Sequence, residues 1–360
     1  MFRNQVIPVT ISSADGCLSR TTDNIKYHYS GDNPRTIVKD LGQEFQIFDG
    51  CPGGIIEATD AYFVPGAMCL YERHGVRIAE SCVRRGKGLV EFVNAGSEAI
   101  SLPSDFITIN EPLLYLSWLY DHWGDFLTQG TSRLWALLQY PELATITGFF
   151  LPSHRLHNNI TDFIKSLNLN IRAGWYVPNR PVRFRKVFIP TASFSNRCQA
   201  YSVHREPASA VADHHLRENN FQVSEQPVFL SRSRLGGGRD IQNQLELESA
   251  LARKGFLIVY PEELNLVEQI MLFNQHRHFW GCWGSAFHTA ILCRSPANIA
   301  THVICHCIPN VNFLMFDSIL GNDANYVESM LPVPGKQRVW PDLNLTVDVE
   351  KVLSYYSRMT

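Results

Sequence analysis

No stretch of this chain approaches the ~18 to 20 consecutive apolar residues needed to span a bilayer, and Met1 to Thr10 is too mixed to read as an export signal. A cytosolic protein is expected, with no membrane span and at most a peripheral association with the inner membrane. Charge of one sign is also missing. The 32 Lys and Arg nearly balance the 34 Asp and Glu, leaving −2, without the basic stripe of a general nucleic-acid binder. The nine cysteines are odd in number and scattered over both halves, which fits reduced thiols better than a disulfide framework. Internal repeats and low-complexity segments are absent too. What remains is a packed protein: 45% hydrophobic and 18% charged residues exclude wholesale disorder, and 360 residues exceed one ordinary core and suit two domains.

The most informative stretch runs from Val228 to Cys293. Val228 to Ser231 reads as a short apolar strand, Arg232 to Arg239 as a basic glycine turn, and Asn243 opens a helix. Asn243 with Glu246 has the spacing of a capping box, Leu247, Ala250 and Leu251 keep helical spacing, and Gly255 is the stop. The run Phe256 to Tyr260 reads as a strand buried on both faces. Asn265 with Glu268 repeats the capping pattern before Leu266, Ile270 and Phe273. A second glycine turn follows at Gly281 to Ser285, then a helix over 286–293 and a strand over 301–307. Alternation of this kind predicts a mostly parallel sheet with helices on both faces and ligands at the carboxyl ends of its strands.

These residues resemble a known family. Phe229-Leu230-Ser231-Arg232-Ser233-Arg234, Gly255-Phe256 with Tyr260-Pro261-Glu262-Glu263-Leu264, Glu268-Gln269, and Gly281-x-x-Gly284-Ser285-Ala286 are similar to glycosyltransferase family 61. Upstream, His122-Trp123-Gly124-Asp125-Phe126-Leu127 and Ser132-Arg133-Leu134-Trp135 resemble that family's histidine-bearing segment, so the likeness runs from about Ala61 to Cys307. Without an anchor the chain is more similar to bacterial members, which assemble capsular or exported polysaccharide. The resemblance implies an inverting transferase of two Rossmann-like α/β domains facing a cleft (GT-B-like), with a nucleotide-sugar donor, a UDP-sugar first, and a glycan or polysaccharide acceptor. One position departs from the pattern: Trp283 stands where many members have histidine, and His288 lies four residues after the second glycine.

The chemistry has two demands. An acceptor hydroxyl must lose a proton, and a departing diphosphate must have its charge stabilised. Arg232, then Arg234, are the expected anion clamp, because a guanidinium binds two oxygens and keeps its charge. Ser231, Gly284, Ser285 and His288 are the expected neutral partners. The alternative is that the arginines decorate a surface loop. His122 is the expected base, oriented by Asp121 or Asp125, with Asp125 as the fallback base; the competing reading is a histidine packed on a helix beside Trp118 and Trp123. Glu262 or Glu263 would take the ribose hydroxyls, or else they merely favour a helix dipole. A metal is not expected. An Asp-x-Asp is missing, and in the crowded His302, Cys305, His306 and Cys307 strand alternation sends the Cys pair and His306 to opposite faces.

Elsewhere the pattern is weaker. Phe45 to Ile109 shows short alternating runs and predicts a β-rich start, and Leu113 to Leu138 reads as helical. Thr147 to Pro152 and Val187 to Pro190 read as strands, with a helix near Ile160 to Leu167. The expected domains are 1–198 on the acceptor side, 199–335 for the nucleotide sugar, and a tail, 336–360, returning onto the first. Arg180, Arg183, Arg185 and Lys186 form either a solvated face or an anionic-acceptor site, the solvated face being preferred. Two other functions stay open: a non-catalytic nucleotide-sugar or glycan-binding partner in a polysaccharide assembly complex, and a dinucleotide-dependent oxidoreductase. The second is disfavoured because Gly236-Gly237-Gly238 lacks G-x-G-x-x-G spacing.

Overall fold

In the computed structural model of the chain, the residues described are 6–7, 19–20, 27–29, 45–85, 91–92, 97–152, 156–172, 180–217, 222–235, 241–306, 310–333 and 345–359. The glycines 236–238, Arg239 and Cys307 lie outside them, as do residues 89–90 and 93. The chain divides into two compact units, Met1–Thr21 with Gln43–His214, and Thr22–Gly42 with His215–Thr360.

The first unit is built on a sheet of β1 (Val6–Ile7), β2 (Ile55–Phe63), β3 (Ile107–Ile109), β4 (Leu113–Leu119), β5 (Thr147–Pro152), β6 (Ile171–Arg172) and β7 (Val182–Pro190). Its order is β1-β2-β7-β4-β5-β6, with β3 also pairing β7. β4 pairs in parallel with both β5 and β7, while β2 runs antiparallel to β7. The first strand of the parallel run therefore lies between the second and the fourth. That makes the carboxyl ends of β4 and β7 a topological switch point, where open α/β sheets bind ligands.

The expected helix over 113–138 is in part this central strand. All seven residues of β4 are buried, because a central strand covered on both faces is apolar at every position and carries no period to read. Helix begins only after it, as a short turn Trp123–Asp125, a π-helical stretch Phe126–Gly130, and α1 (Trp135–Gln139). The helix α2 (Asn158–Ser166) follows β5 as expected. Phe194–Ser195 and Gln199–Tyr201 pair into a small sheet with Gln46–Phe48, so residues beyond 198 are held in the first unit. α3 (Glu206–Leu216) comes next, and the division falls after His214 rather than at the expected 198.

Two motif residues turn out to hold this unit together. Arg133 is buried, and its guanidinium donates to the carbonyls of Pro190 at 2.9 Å, Glu80 at 2.5 Å and Cys82 at 3.2 Å. Trp135 Nε1 donates to Thr191 O at 2.9 Å. The basic cluster is an ion-paired face: Arg180 meets Asp105 at 2.8 Å, Arg183 and Arg185 meet Asp60 at 2.7 and 3.4 Å, and Lys186 meets Glu57 at 2.8 Å.

The second unit is a parallel sheet of β8 (Val228–Leu230), β9 (Leu257–Val259), β10 (His278–Cys282), β11 (Ala300–Cys305) and β12 (Asp323–Glu328). Its order is β9-β8-β10-β11-β12, with strand Tyr27–Tyr29 added in parallel beside β12. In chain order this reads second, first, third, fourth, fifth, a doubly wound arrangement whose switch point lies between β8 and β10. The connections are α4 (Gln244–Ala252), α5 (Leu266–Gln275), a 3-10 helix Ser285–Leu292 and α6 (Val311–Leu320).

Local expectations hold in part. The Asn265–Glu268 capping box is present, and Gly255 has φ +89°, the left-handed turn a glycine takes without strain. At Asn243 the box is not made; its Oδ1 accepts instead from the Val347 N–H and the Thr346 hydroxyl, both at 2.8 Å, tying the start of α4 to strand Leu345–Val347. β9 is an edge strand, not one buried on both faces, and Leu257 is 37% exposed. The final helix, α7 (Val349–Met359), packs within the second unit: Val352 is buried with Phe256 and Trp280, and the Tyr356 ring lies 4.8 Å from that of Phe256. Its apolar stripe fits the face left open beside α4.

Candidate active site

At the β8/β10 switch point, the chain leaving Leu230 places Ser231 and Arg232 beside the chain leaving Cys282. Arg232 Nη1 donates to Trp283 O at 2.7 Å. A Cβ on Gly284 would stand 3.1 Å from the same nitrogen, so the glycine is what lets the guanidinium lie against the turn. At Gly281 a Cβ would meet Leu230 O at 2.8 Å, so this glycine sets the close approach of the two strands. With its side-chain amide turned so that the oxygen faces this turn, Gln244 accepts from the Arg232 N–H at 2.6 Å. The 3-10 helix then starts at Ser285, which is half-buried.

Several expected donor residues are already committed within the protein. Ser231 is fully buried, and its hydroxyl donates to Glu248 Oε1 at 2.6 Å while accepting from the Ser233 N–H at 3.0 Å. It braces the turn and is not aimed outward. Glu248 Oε2 accepts from the Tyr260 hydroxyl at 3.0 Å, linking the carboxyl ends of β8 and β9 through α4. Arg234 forms a two-oxygen pair with Glu263, both contacts 2.9 Å, and lies 3.7 Å above the Tyr260 ring. The pair raises Arg234 above its usual range and makes it a compensated charge rather than a second clamp.

The two glutamates therefore separate. Glu263 is taken by Arg234, whereas Glu262 Oε1 is a buried oxygen with no hydrogen-bond partner among the described residues. Burial holds the Glu262 carboxyl above its usual range, offset only in part by its own backbone N–H and by the nearby Arg232 and Arg234. An oxygen in that condition suits a hydroxyl donor supplied by a ligand. His288 is buried, its ring 4.8 Å from Phe313 and 4.5 Å from Phe316, so it belongs to aromatic packing beneath the 3-10 helix. Trp283 is partly buried, edge-on to His306 at 4.7 Å, and offers its backbone oxygen to Arg232.

In the first unit, β4 delivers Asp121 and His122 just past its carboxyl end. His122 sits at the N-cap of the turn Trp123–Asp125, not within a helix, and is half-exposed. Its Nδ1 lies 3.2 Å from Asp125 Oδ2 and 3.3 Å from the Asp125 N–H. Nδ1 accepts that N–H, and the carboxylate stands where it pairs with the ring once the ring is protonated. Asp121 takes no part in this pair; its Oδ1 accepts from the His157 N–H at 2.5 Å and ties β4 to the start of α2.

Sequence reasoning missed Gln244, Glu248, Tyr260 and His157. Glu248 carried a signal, an acidic residue beside Leu247 and Leu251 on the inward face of α4. His157 carried a fainter one, a polar residue just ahead of a helix. Among the described residues no group of three or more His, Cys, Asp or Glu is placed to hold a metal ion. Cys305 is buried within β11, and His302 stacks on Trp280 at 4.3 Å.

Residues 123–300 match the family model described as Glycosyltransferase 61. The chain is a glycosyltransferase. The matched span begins one residue after His122 and takes in Asp125, the structural Arg133, the whole β8/β10 switch point and Glu262. No curated protein matches the chain. As a glycosyltransferase it must handle a sugar donor and an acceptor, and no helix among the described residues is long and apolar enough to cross a membrane.

Proposed function

We propose that this glycosyltransferase moves a sugar from a nucleotide sugar to a glycan hydroxyl in one inverting displacement, without a metal ion. The acceptor O–H gives its proton to His122 as the oxygen bonds to the anomeric carbon. The bond from that carbon to the diphosphate breaks, its electron pair leaving with the phosphate. Asp125 stabilises the imidazolium, and Arg232 stabilises the departing charge. Glu262 accepts from the ribose hydroxyls. The acceptor is a growing capsular or exported polysaccharide at the cytoplasmic face, and a UDP-sugar is the first donor to try.

The observation that carries this reading is the Arg232 guanidinium pinned by Trp283 O against Gly284 at the β8/β10 switch point. A fixed cation at a strand end next to a helix start suits a diphosphate by charge and by position. The test is release of nucleoside diphosphate from a panel of nucleotide sugars, with and without a chelator. Release that survives chelation and is lost in Arg232→Ala supports the proposal. Chelator-sensitive release, or full activity in Arg232→Ala, refutes it, and donor binding without release on any acceptor points to a non-catalytic partner.

A further inference from the structure

Two buried cysteines of the first unit are neighbours. Tyr71 pairs with Tyr62 of β2 through backbone bonds of 2.7 and 2.8 Å, after which the chain turns back through Arg73 to Val76. On its return the Ile78 N–H donates to Leu70 O at 2.8 Å, and the Ser81 hydroxyl accepts from the Leu70 N–H at 2.8 Å. Cys69 precedes Leu70 and Cys82 follows Ser81, so these bonds bring the two thiols together, and their side chains are in hydrogen-bond contact. Both are buried in a small cluster with Tyr62, Ala67 and Tyr71, apart from the main core of the unit. The turn that joins them is exposed at Arg73, His74 and Val76, so the pair lies beneath a surface segment, the kind of element that opens locally without global unfolding.

The two sulfurs are not equivalent. The hydrogen bond from Cys82, with lesser help from Tyr71 and the Arg77 charge, holds the Cys69 thiol below its usual range against the opposing effect of burial. The same bond and burial hold the Cys82 thiol above it. The thiolate is the nucleophile in exchange with a disulfide, and a favoured thiolate in contact with a second thiol supplies an attacking and a resolving sulfur. Backbone contacts keep both ends in place: Tyr71 is tied to β2, and Cys82 O accepts from the Arg133 guanidinium at 3.2 Å.

We infer that Cys69 and Cys82 are a redox site that takes small-molecule disulfides and closes to an intramolecular disulfide. The Cys69 thiolate attacks one sulfur of the small disulfide, whose own S–S bond breaks as the new one forms, and the departing thiolate takes the Cys82 proton. The Cys82 thiolate then attacks the Cys69 sulfur and expels the second small thiolate. Two protein thiols are oxidised, and one disulfide is reduced to two thiols.

Oxidised glutathione is the probe. The folded chain is incubated with it, quenched in acid, alkylated in denaturant and cut with trypsin, which cleaves at Arg73 and Arg77 and so separates the two cysteines. The expected product is peptide 40–73 joined to peptide 78–84, with fragments that place the bond at Cys69 rather than Cys51, and with both peptides released by dithiothreitol. In Cys82→Ser, glutathione stays on Cys69; in Cys69→Ser, the Cys82 thiol stays unmodified. Alkylated Cys69 and Cys82 after the incubation, a bridge from either one to another cysteine, or glutathione left on Cys69 of the wild type overturns the inference. Glutathione on Cys82 in Cys69→Ser overturns the order of attack. The wild-type peptide map decides the bridge without either variant, so a serine variant that fails to fold does not protect the inference from refutation.

Discussion

Acidification should unfold the first unit before the second, because each buries a histidine that acid destabilises but the second also buries a carboxyl that acid stabilises. His204 is buried in the first unit, its Nδ1 2.9 Å from Ser193 Oγ and its Nε2 2.9 Å from Leu127 O, and burial pushes it down to about 4. The unfolded chain takes up this proton near pH 6.5 and the folded one does not. The stability it contributes is therefore whole above about pH 6.5 and is lost as pH falls toward 4, at about 1.4 kcal/mol per pH unit, or about 3 kcal/mol in all. In the second unit, burial lowers His302 to about 3, which acts in the same direction. There, however, burial raises Asp317 to about 6, with Tyr326 and Asn322 donating to its oxygens. A raised carboxyl contributes stability that is whole below its unfolded value near 3.8 and is lost as pH rises through 6, so acidification restores about 3 kcal/mol and offsets most of the His302 loss. Urea titrations at pH 7, 5.5 and 4.5, followed by peptide-resolved hydrogen exchange, separate the units. The first unit's midpoint should fall by about 1 M by pH 4.5, for a slope near 2 kcal/mol per molar, while the second moves by less than half as much. His204→Gln should flatten the first unit's pH dependence. Parallel curves for wild type and His204→Gln, or equal losses in the two units, would refute the reasoning.

Other substitutions test the sites. Gly284→Ala should displace only the end of the Arg232 side chain, raising the donor KM at an unchanged melting temperature, whereas Gly281→Ala meets the backbone oxygen of Leu230 and should lower the melting temperature first. Arg133→Met leaves three carbonyls without their donor and should cost about 3 kcal/mol in urea unfolding of the first unit, with nucleotide binding unaffected. Glu248→Gln keeps one acceptor oxygen for two hydroxyl donors, Ser231 and Tyr260, and should weaken donor binding several-fold by equilibrium titration; equal affinity would show that this bracing does not hold Arg232 in place.

The second unit was legible in the sequence because its signals are local. Strands of three to six residues end at turns marked by Ser231-Arg232 and Gly284, and the capping box at Asn265 and the stop at Gly255 need no distant partner. Residues 113–119 were not legible, because an apolar run on a central strand has the same composition as a buried helix, and only pairing with β5 and β7 distinguishes them.

The sequence by itself determined the class of the molecule, the alternation of strand and helix in its second half, and the residue types at the strand ends: a basic pair, two glutamates, a histidine followed by an aspartate. Only the tertiary structure decided how those groups are spent. Arg234 is ion-paired because β8 and β9 are neighbours and bring Glu263 to it; Arg232 is aimed because β10 brings Trp283 O beside β8. Asp121 is the chain neighbour of His122 and Asp125 lies three residues on, yet the first accepts from the His157 N–H at the start of α2 and the second meets the imidazole. Hydrogen bonds and ion pairs depend on distances of about 3 Å, and strand order, which no local pattern encodes, sets which partners come within that reach.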